Sequence, residues 1–496
     1  MTFNSYQFLI FFPIVLLVYF IVPRKVRYIW LLLSSYYFYM SWGVSYGIWL
    51  GVSTVVTYLS GILLDREKEK QREKYKKIII ALCVIINIGI LGVFKYSNFM
   101  IENVNILLSG FHMKKWDSFN IMLPVGISFY TFQALSYTID VYRGKNKAER
   151  NFFRYALYVS FFPTIASGPI ERCGNLLKQI EKMDTFKLWN LDRISAGCII
   201  MLWGFFQKLV ISDRISIFVN NVYSEYWLYG TVELVLATVL FAIQLYCDFG
   251  SYSLIAIGAA KIMGFDLIRN FETPYFAQSI KEFWRRWHIS LSTWFRDYVY
   301  IPLGGSRCSK LKKYRNLLAT FLVSGLWHGA SWNYIIWGGI HGIYQIAGDL
   351  MSPFRNKACQ KLKVKTDCMS YKFGRMSITF ILTCFAWIFF RMEKLSDAIL
   401  FIKRIFTRPD FWVLHDGSLY KIGLDQTEVH ILFLALLLLV IIDTLQYRKR
   451  VSIDEYLKLQ NIWFRWGAIF LMLFAIIIYG IYGPTYSATQ FIYFQF

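Results

Sequence analysis

Apolar residues run through this chain in blocks of about twenty, the length that crosses a bilayer, with short polar loops between them. The blocks lie at 5–22, 28–42, 46–64, 78–96, 121–141, 194–211 and 233–250, then at 316–334, 335–349, 375–391, 430–446 and 463–482. A backbone in lipid must satisfy its own hydrogen bonds, which a helix does within one segment. The pattern therefore predicts an all-α polytopic membrane protein of about 11–12 transmembrane helices. Two stretches break the alternation. Residues 152–169 contain Pro163, Gly168 and Pro169, and residues 281–303 mix charges with tryptophans before Ile301-Pro-Leu-Gly-Gly305. Both read as re-entrant or interfacial, because irregular backbone is tolerated at depth only where protein or water covers it. Residues 392–428 are more polar and predict an external interfacial segment. No internal repeat or soluble domain interrupts the pattern, so 1–496 reads as a single transmembrane domain.

Composition agrees with the pattern: 56% of residues are hydrophobic and 17% charged, with a mean hydropathy of +0.41. The formal charge of +23 would suit a polyanion partner if it formed one patch. Instead, Lys and Arg collect in short loops at 24–27, 66–77, 143–154, 307–315, 355–375 and 448–458. That distribution follows the positive-inside rule and places those loops in the cytoplasm, with both termini outside. Nucleic acid is not an expected partner; membrane lipid is. A basic cytoplasmic face also suits a donor that carries phosphates. The eight cysteines show no CxxC pair or metal-ligand spacing, so no metal site and no disulfide framework is expected.

Two histidines stand out against this apolar background. His288 lies in Glu282-Phe-Trp-Arg-Arg-Trp-His288, and His328 in Ser324-Gly-Leu-Trp-His328-Gly-Ala-Ser-Trp332. Ionisable groups at membrane depth are costly and usually face a cavity or path that serves function. Imidazole is also the side chain best suited to moving a proton near neutral pH. His328 is about 20 Å along a helix that begins near Arg315, at about 1.5 Å per residue. Trp327 and Trp332 would flank it and keep it dry, which favours the neutral, proton-accepting imidazole. The bland alternative for His328 is a packing histidine bonded to a neighbouring helix. Arg285 and Arg286 offer permanent forked cations to a donor's phosphates or, equally, an interfacial anchor. In one unbroken helix His341 would point about 140° away from His328; a turn between them would bring the two together. His112, His415 and His430 suggest no role.

Five segments in order resemble the membrane-bound O-acyltransferase family, particularly its bacterial alginate O-acetylation and teichoic-acid D-alanylation branch. They are Leu123-Pro-Val-Gly-Ile-Ser-Phe-Tyr-Thr-Phe-Gln133, Phe161-Phe-Pro-Thr-Ile-Ala-Ser-Gly-Pro-Ile-Glu-Arg172, Asp248-Phe-Gly-Ser-Tyr-Ser-Leu-Ile-Ala-Ile-Gly258, Arg285-Arg-Trp-His-Ile-Ser-Leu-Ser292 and Gly325-Leu-Trp-His-Gly329. The resemblance implies helices around a central funnel or tunnel. It implies that His328 is catalytic and that His288 supports it near the cytoplasmic entrance. Where the family pattern carries a second acid this chain has Leu254, which leaves Asp248 as the remaining carboxylate. The aromatic tail at 491–496, Phe-Ile-Tyr-Phe-Gln-Phe, resembles the end of a small teichoic-acid D-alanylation protein in which a tyrosine is thought to receive the acyl group. Carried over by position, that residue is Tyr493.

Together these features point to an O-acyltransferase, most simply an O-acetyltransferase. It would take an acyl group from a cytoplasmic thioester such as acetyl-CoA, used as a substrate with no bound cofactor. The acceptor would be an extracytoplasmic polysaccharide, reached through Tyr493 and a partner transferase with a serine nucleophile. D-alanyl transfer is the closest rival. A transporter or flippase of lipid-linked sugar is the rival from another class, and a scaffold the third. Inverted repeats would favour a transporter, and the chain shows none.

Overall fold

The computed structural model describes residues 1–119 and 122–482. The described residues form helices joined by loops, with no strand among them, and each of the twelve expected blocks contains a helix, though not every block is helical from end to end. Seven helices are long and apolar enough to cross a membrane by length and composition: Val44–Glu69, Glu73–Gly110, Leu191–Ser224, Thr231–Met263, Met369–Arg391, Gln426–Lys449 and Ile462–Tyr479. The other five fall short for two reasons. Tyr6–Ile21, Arg27–Met40 and Ile127–Tyr142 have 16, 14 and 16 residues, and Lys310–His328 and Trp332–Lys361 carry polar residues at one end. Apolar surface without protein cover marks the lipid-facing helices. Only 17% of the apolar window of Glu73–Gly110 and 11% of that of Ile462–Tyr479 is buried. In water each exposed Leu or Ile there would forgo about 1.5–3 kcal/mol of burial; in lipid that loss disappears.

The chain divides into two compact units: residues 1–198 with 255–268, and residues 199–254 with 269–496. In the first, helix Ile127–Tyr142 is buried on almost every face, with the Ser136 and Thr138 hydroxyls donating to carbonyls of their own helix. Gln133 joins two of the quoted segments. Its amide donates to the Tyr158 carbonyl, and its Oε1 accepts from the Glu171 N–H at 3.2 Å. Gly126, at φ 74°, packs so closely that a Cβ would collide with the Ile165 carbonyl. The expected irregular stretch at 152–169 is two short helices, Phe152–Ser160 and Phe162–Ile165, followed by a buried non-helical segment that leads into Glu171.

In the second unit the expected interfacial stretch at 281–303 is also broken. Helices Ile280–Arg286 and Ile289–Phe295 are followed by a π turn at Arg296–Tyr300. Residues 392–428 hold the amphipathic helix Leu395–Thr407 and two 3-10 turns. Fully buried Trp203, Trp287, Trp337 and Trp387 dominate this unit's core.

Candidate active site

The expected span at 316–334 does not run through. Its helix stops at His328, Gly329 is extended (φ −169°), and Ser331 caps the next helix by accepting from the Asn333 N–H at 3.3 Å. The two helices, Lys310–His328 and Trp332–Lys361, then return side by side. Gly325 and Gly338 make this possible, since a Cβ on either would strike a backbone carbonyl of the facing helix, Tyr334 or Phe321. His328 is thus the last residue before a turn, held 4% exposed. The turn considered between His328 and His341 exists, at 329–331.

Three rings box in the His328 imidazole, all edge-on: Trp327 at 4.8 Å, Trp337 at 4.9 Å and Phe390 at 5.3 Å between centroids. Edge-to-face packing fixes a ring's plane as well as its position. The dry surround expected of His328 is therefore present, but one wall was misassigned. Trp332 is 56% exposed, because the break at 329–331 makes it the first residue of the new helix rather than the next turn of the old one. Trp337 and Phe390 occupy the place expected of it.

His341 is fully buried and belongs to the same aromatic group, with Trp337 at 5.1 Å and Trp284 at 5.0 Å. Trp284 Nε1 donates to His341 Nδ1 at 3.2 Å. Trp337 therefore touches both histidines and links them.

His288 sits at the break between two short helices in a left-handed conformation, φ 42°. Such a conformation is uncommon outside Gly and Asn and marks a tightly held turn. Asn270 holds it: its carbonyl accepts from the Ile289 N–H at 2.9 Å, and its Oδ1 accepts from Ser290 Oγ at 2.7 Å. Phe249 lies edge-on to the imidazole at 4.5 Å, and Trp327 is 6.1 Å away. Trp327 thus stands between His288 and His328. Burial pushes the His288 imidazole down to about 3, so it is neutral at physiological pH.

The two arginines part company. Arg285 is exposed, whereas Arg286 is committed within the protein. It meets Glu282 Oε1 at 2.9 Å, donates to the Glu272 carbonyl at 3.1 Å and to Thr273 Oγ1 at 3.2 Å, and lies over the Tyr447 ring.

Asp248 is also engaged. Lys208 Nζ lies 2.5 Å from Asp248 Oδ1 and 2.9 Å from Asp213 Oδ1, with all three side chains at most 2% exposed. The π turn Gln207–Ser212 creates this group: the Asp213 N–H bonds the Lys208 carbonyl five residues back, which brings positions 208 and 213 to one face. Lys208 and Asp213 were not singled out in the sequence. The available signal was a lysine in the middle of an apolar run with an aspartate five residues on. Trp284, Trp337, Trp387 and Phe390 were also passed over, since an aromatic in a chain this rich in aromatics carries little information. Tyr493 lies outside the described residues.

Comparison with known proteins follows the same lines. A family model described as MBOAT, membrane-bound O-acyltransferase family, matches residues 145–390. A protein of Pseudomonas putida named probable alginate O-acetylase AlgI is 34% identical over 513 residues, covering 100% of both chains. The peptidoglycan O-acetyltransferase of Helicobacter pylori is 32% identical, covering 81% of this chain and 79% of its own. The teichoic acid D-alanyltransferase of Bacillus subtilis is 31% identical over a shorter region, 48% of this chain and 62% of its own.

Proposed function

The chain belongs to the membrane-bound O-acyltransferase family and is a multi-pass O-acyltransferase, and we propose that it moves an acetyl group from a cytoplasmic thioester to an extracytoplasmic polysaccharide. The observation that carries the reading is His328: a buried imidazole at a helix end, locked edge-on by Trp327, Trp337 and Phe390. Acyl transfer to a hydroxyl requires the hydroxyl proton to leave as attack begins. A neutral imidazole accepts it, and a positioned base of this kind contributes about 10²–10⁴-fold. His288, neutral and one tryptophan away, supports the arrangement rather than carrying charge. Exposed Arg285 meets donor phosphates, and Arg286 shapes the loop that presents it. Asp248 serves the fold through Lys208.

Acetyl is favoured over D-alanyl because the acetylases match end to end or nearly so, whereas the D-alanyltransferase matches about half the chain. The acyl group leaves through Tyr493, whose phenolate is a better leaving group than an alkoxide. It then passes to a partner transferase with a serine nucleophile. A terminal tail acting on its own enzyme gains the advantage of an intramolecular nucleophile.

The test is mass spectrometry of the C-terminal peptide after labelled acetyl-CoA is given to membranes holding the full chain. Label on Tyr493 in the wild type, absent in His328→Ala, is the expected result. Turnover of acetyl-CoA onto polysaccharide with Tyr493 unlabelled would remove the relay and keep the donor. No turnover of acetyl-CoA would sink the donor assignment.

A further inference from the structure

Three N–H groups in the His328 surround are buried without a hydrogen-bond partner among the described residues: Trp337 Nε1, Trp387 Nε1 and His341 Nε2. All three side chains are 0% exposed. The tautomer of His341 follows from its neighbour. Trp284 Nε1 donates to Nδ1, so Nδ1 carries the lone pair and Nε2 carries the hydrogen. The three rings lie together: Trp337 to His341 5.1 Å, Trp337 to Trp387 5.6 Å, His341 to Trp387 6.2 Å. Trp337 also lies 4.9 Å from His328. Native interiors pair nearly all buried donors, and an exception calls for an explanation. Three exceptions in one cluster, all of them donors, fit an oxygen acceptor that arrives with the substrate.

We propose that Trp337 Nε1–H and His341 Nε2–H, with Trp387 Nε1–H as the third donor, hold the carbonyl oxygen of the acyl donor and stabilise the oxyanion that forms during transfer. The proposal rests on the acyl-transfer reading above. In the step, the acceptor hydroxyl oxygen bonds to the carbonyl carbon while its proton passes to His328. The carbonyl π pair moves onto the oxygen, where the three N–H groups meet it. When the intermediate collapses, the pair returns, the C–S bond breaks, and the leaving thiolate takes the proton from His328. Trp337, in contact with both His328 and His341, would then keep base and oxyanion donors close to one reacting carbonyl. Neutral donors in a dry site suit this task, since they are already oriented when charge develops. Trp284 is a positioning residue: its hydrogen bond fixes which nitrogen of His341 can donate.

The test compares initial rates against acetyl-CoA concentration in membranes carrying the wild type, Trp337→Phe, His341→Gln and His341→Leu, each normalised to inserted protein. Trp337→Phe keeps the ring and removes the N–H. It should lower kcat about 10²–10³-fold with KM for the donor nearly unchanged, the signature of an interaction made in the transition state. His341→Gln, which keeps an N–H, should retain more activity than His341→Leu. Loss of inserted protein at unchanged kcat would show a merely structural role and overturn the proposal. If the variants fail to insert, the carbonyl stretch of carbon-13-labelled acetyl-CoA bound to His328→Ala decides the matter: a shift to lower frequency is expected, and an unshifted band would overturn it. A wild type inactive with acetyl-CoA points instead to failure of the donor assignment, which removes the footing of both readings.

Discussion

Replacing Lys208 with Met tests whether Asp248 belongs to the fold or to substrate binding. At an effective dielectric of about 20, the contacts at 2.5 and 2.9 Å correspond to Coulomb attractions of about 7 and about 6 kcal/mol. Removing three charged groups from water offsets most of that, so neither figure is a net gain. The net effect of removing the ammonium is clearer, because two carboxylates at most 2% exposed would be left side by side. Breaking a buried pair in this way costs about 3–5 kcal/mol, and the second carboxylate adds like-charge repulsion. Lys208→Met should therefore lower the thermal midpoint of the detergent-solubilised protein and the yield of inserted chain. Activity should fall only in proportion to the folded protein. Replacing the whole group with apolar residues (Lys208→Met with Asp213→Leu and Asp248→Leu) removes the stranded charges and should recover stability, as apolar replacement of buried ion groups commonly does. An unchanged midpoint in Lys208→Met would mean that the ammonium does not hold the two carboxylates together. A stable triple variant with no activity would mean that the charged group acts in the reaction and not only in the fold.

Three further outcomes are expected. The imidazole of His288 is held down near 3 by burial, below its unfolded value of about 6.5; its contribution to stability is present above pH 6.5 and lost as pH falls towards 3, so the acid side of a stability profile should flatten in His288→Gln. Glu171 is the opposite case: burial raises its carboxyl to about 7 even though Ile268 N–H and Asn175 Nδ2 donate to it, so its contribution is present below about 4.5 and lost as pH rises through 7, and Glu171→Gln should flatten that side. Arg285→Ala should raise KM for acetyl-CoA with the thermal midpoint held, whereas Arg286→Ala should lower the midpoint, because it breaks contacts to Glu282, Glu272 and Thr273; equal effects of the two on KM would contradict the division of roles.

Helices were legible because span length and loop charge are set by the bilayer, and every expected block holds a helix, with the block at 316–334 broken at 329–331. Breaks were legible only where the backbone announced them. Pro163, Gly168 and Pro169 marked the irregular stretch before Glu171, but the stop at His328 carries no proline. It depends on Gly329 and on Ser331 capping the next helix, two weak local signals inside an apolar run. Reading through that stop placed Trp332 beside His328 and missed Trp337, which is nine positions on in sequence and adjacent only after the turn. Lys208 was hidden for a related reason: its partner at position 213 shares its face through a π turn, and α-helical spacing would have set the two apart. His328 and His288 could be singled out because an ionisable ring in an apolar setting needs an explanation wherever the helices end.

If His328 is the base of acyl transfer, the single-turnover rate of acetyl transfer from labelled acetyl-CoA should fall in His328→Ala relative to wild type, measured at matched amounts of inserted, folded protein. A loss of about 10²-fold or more, as expected when a positioned base is removed, with the thermal midpoint retained, is the predicted result. Equal rates in the two proteins would contradict it.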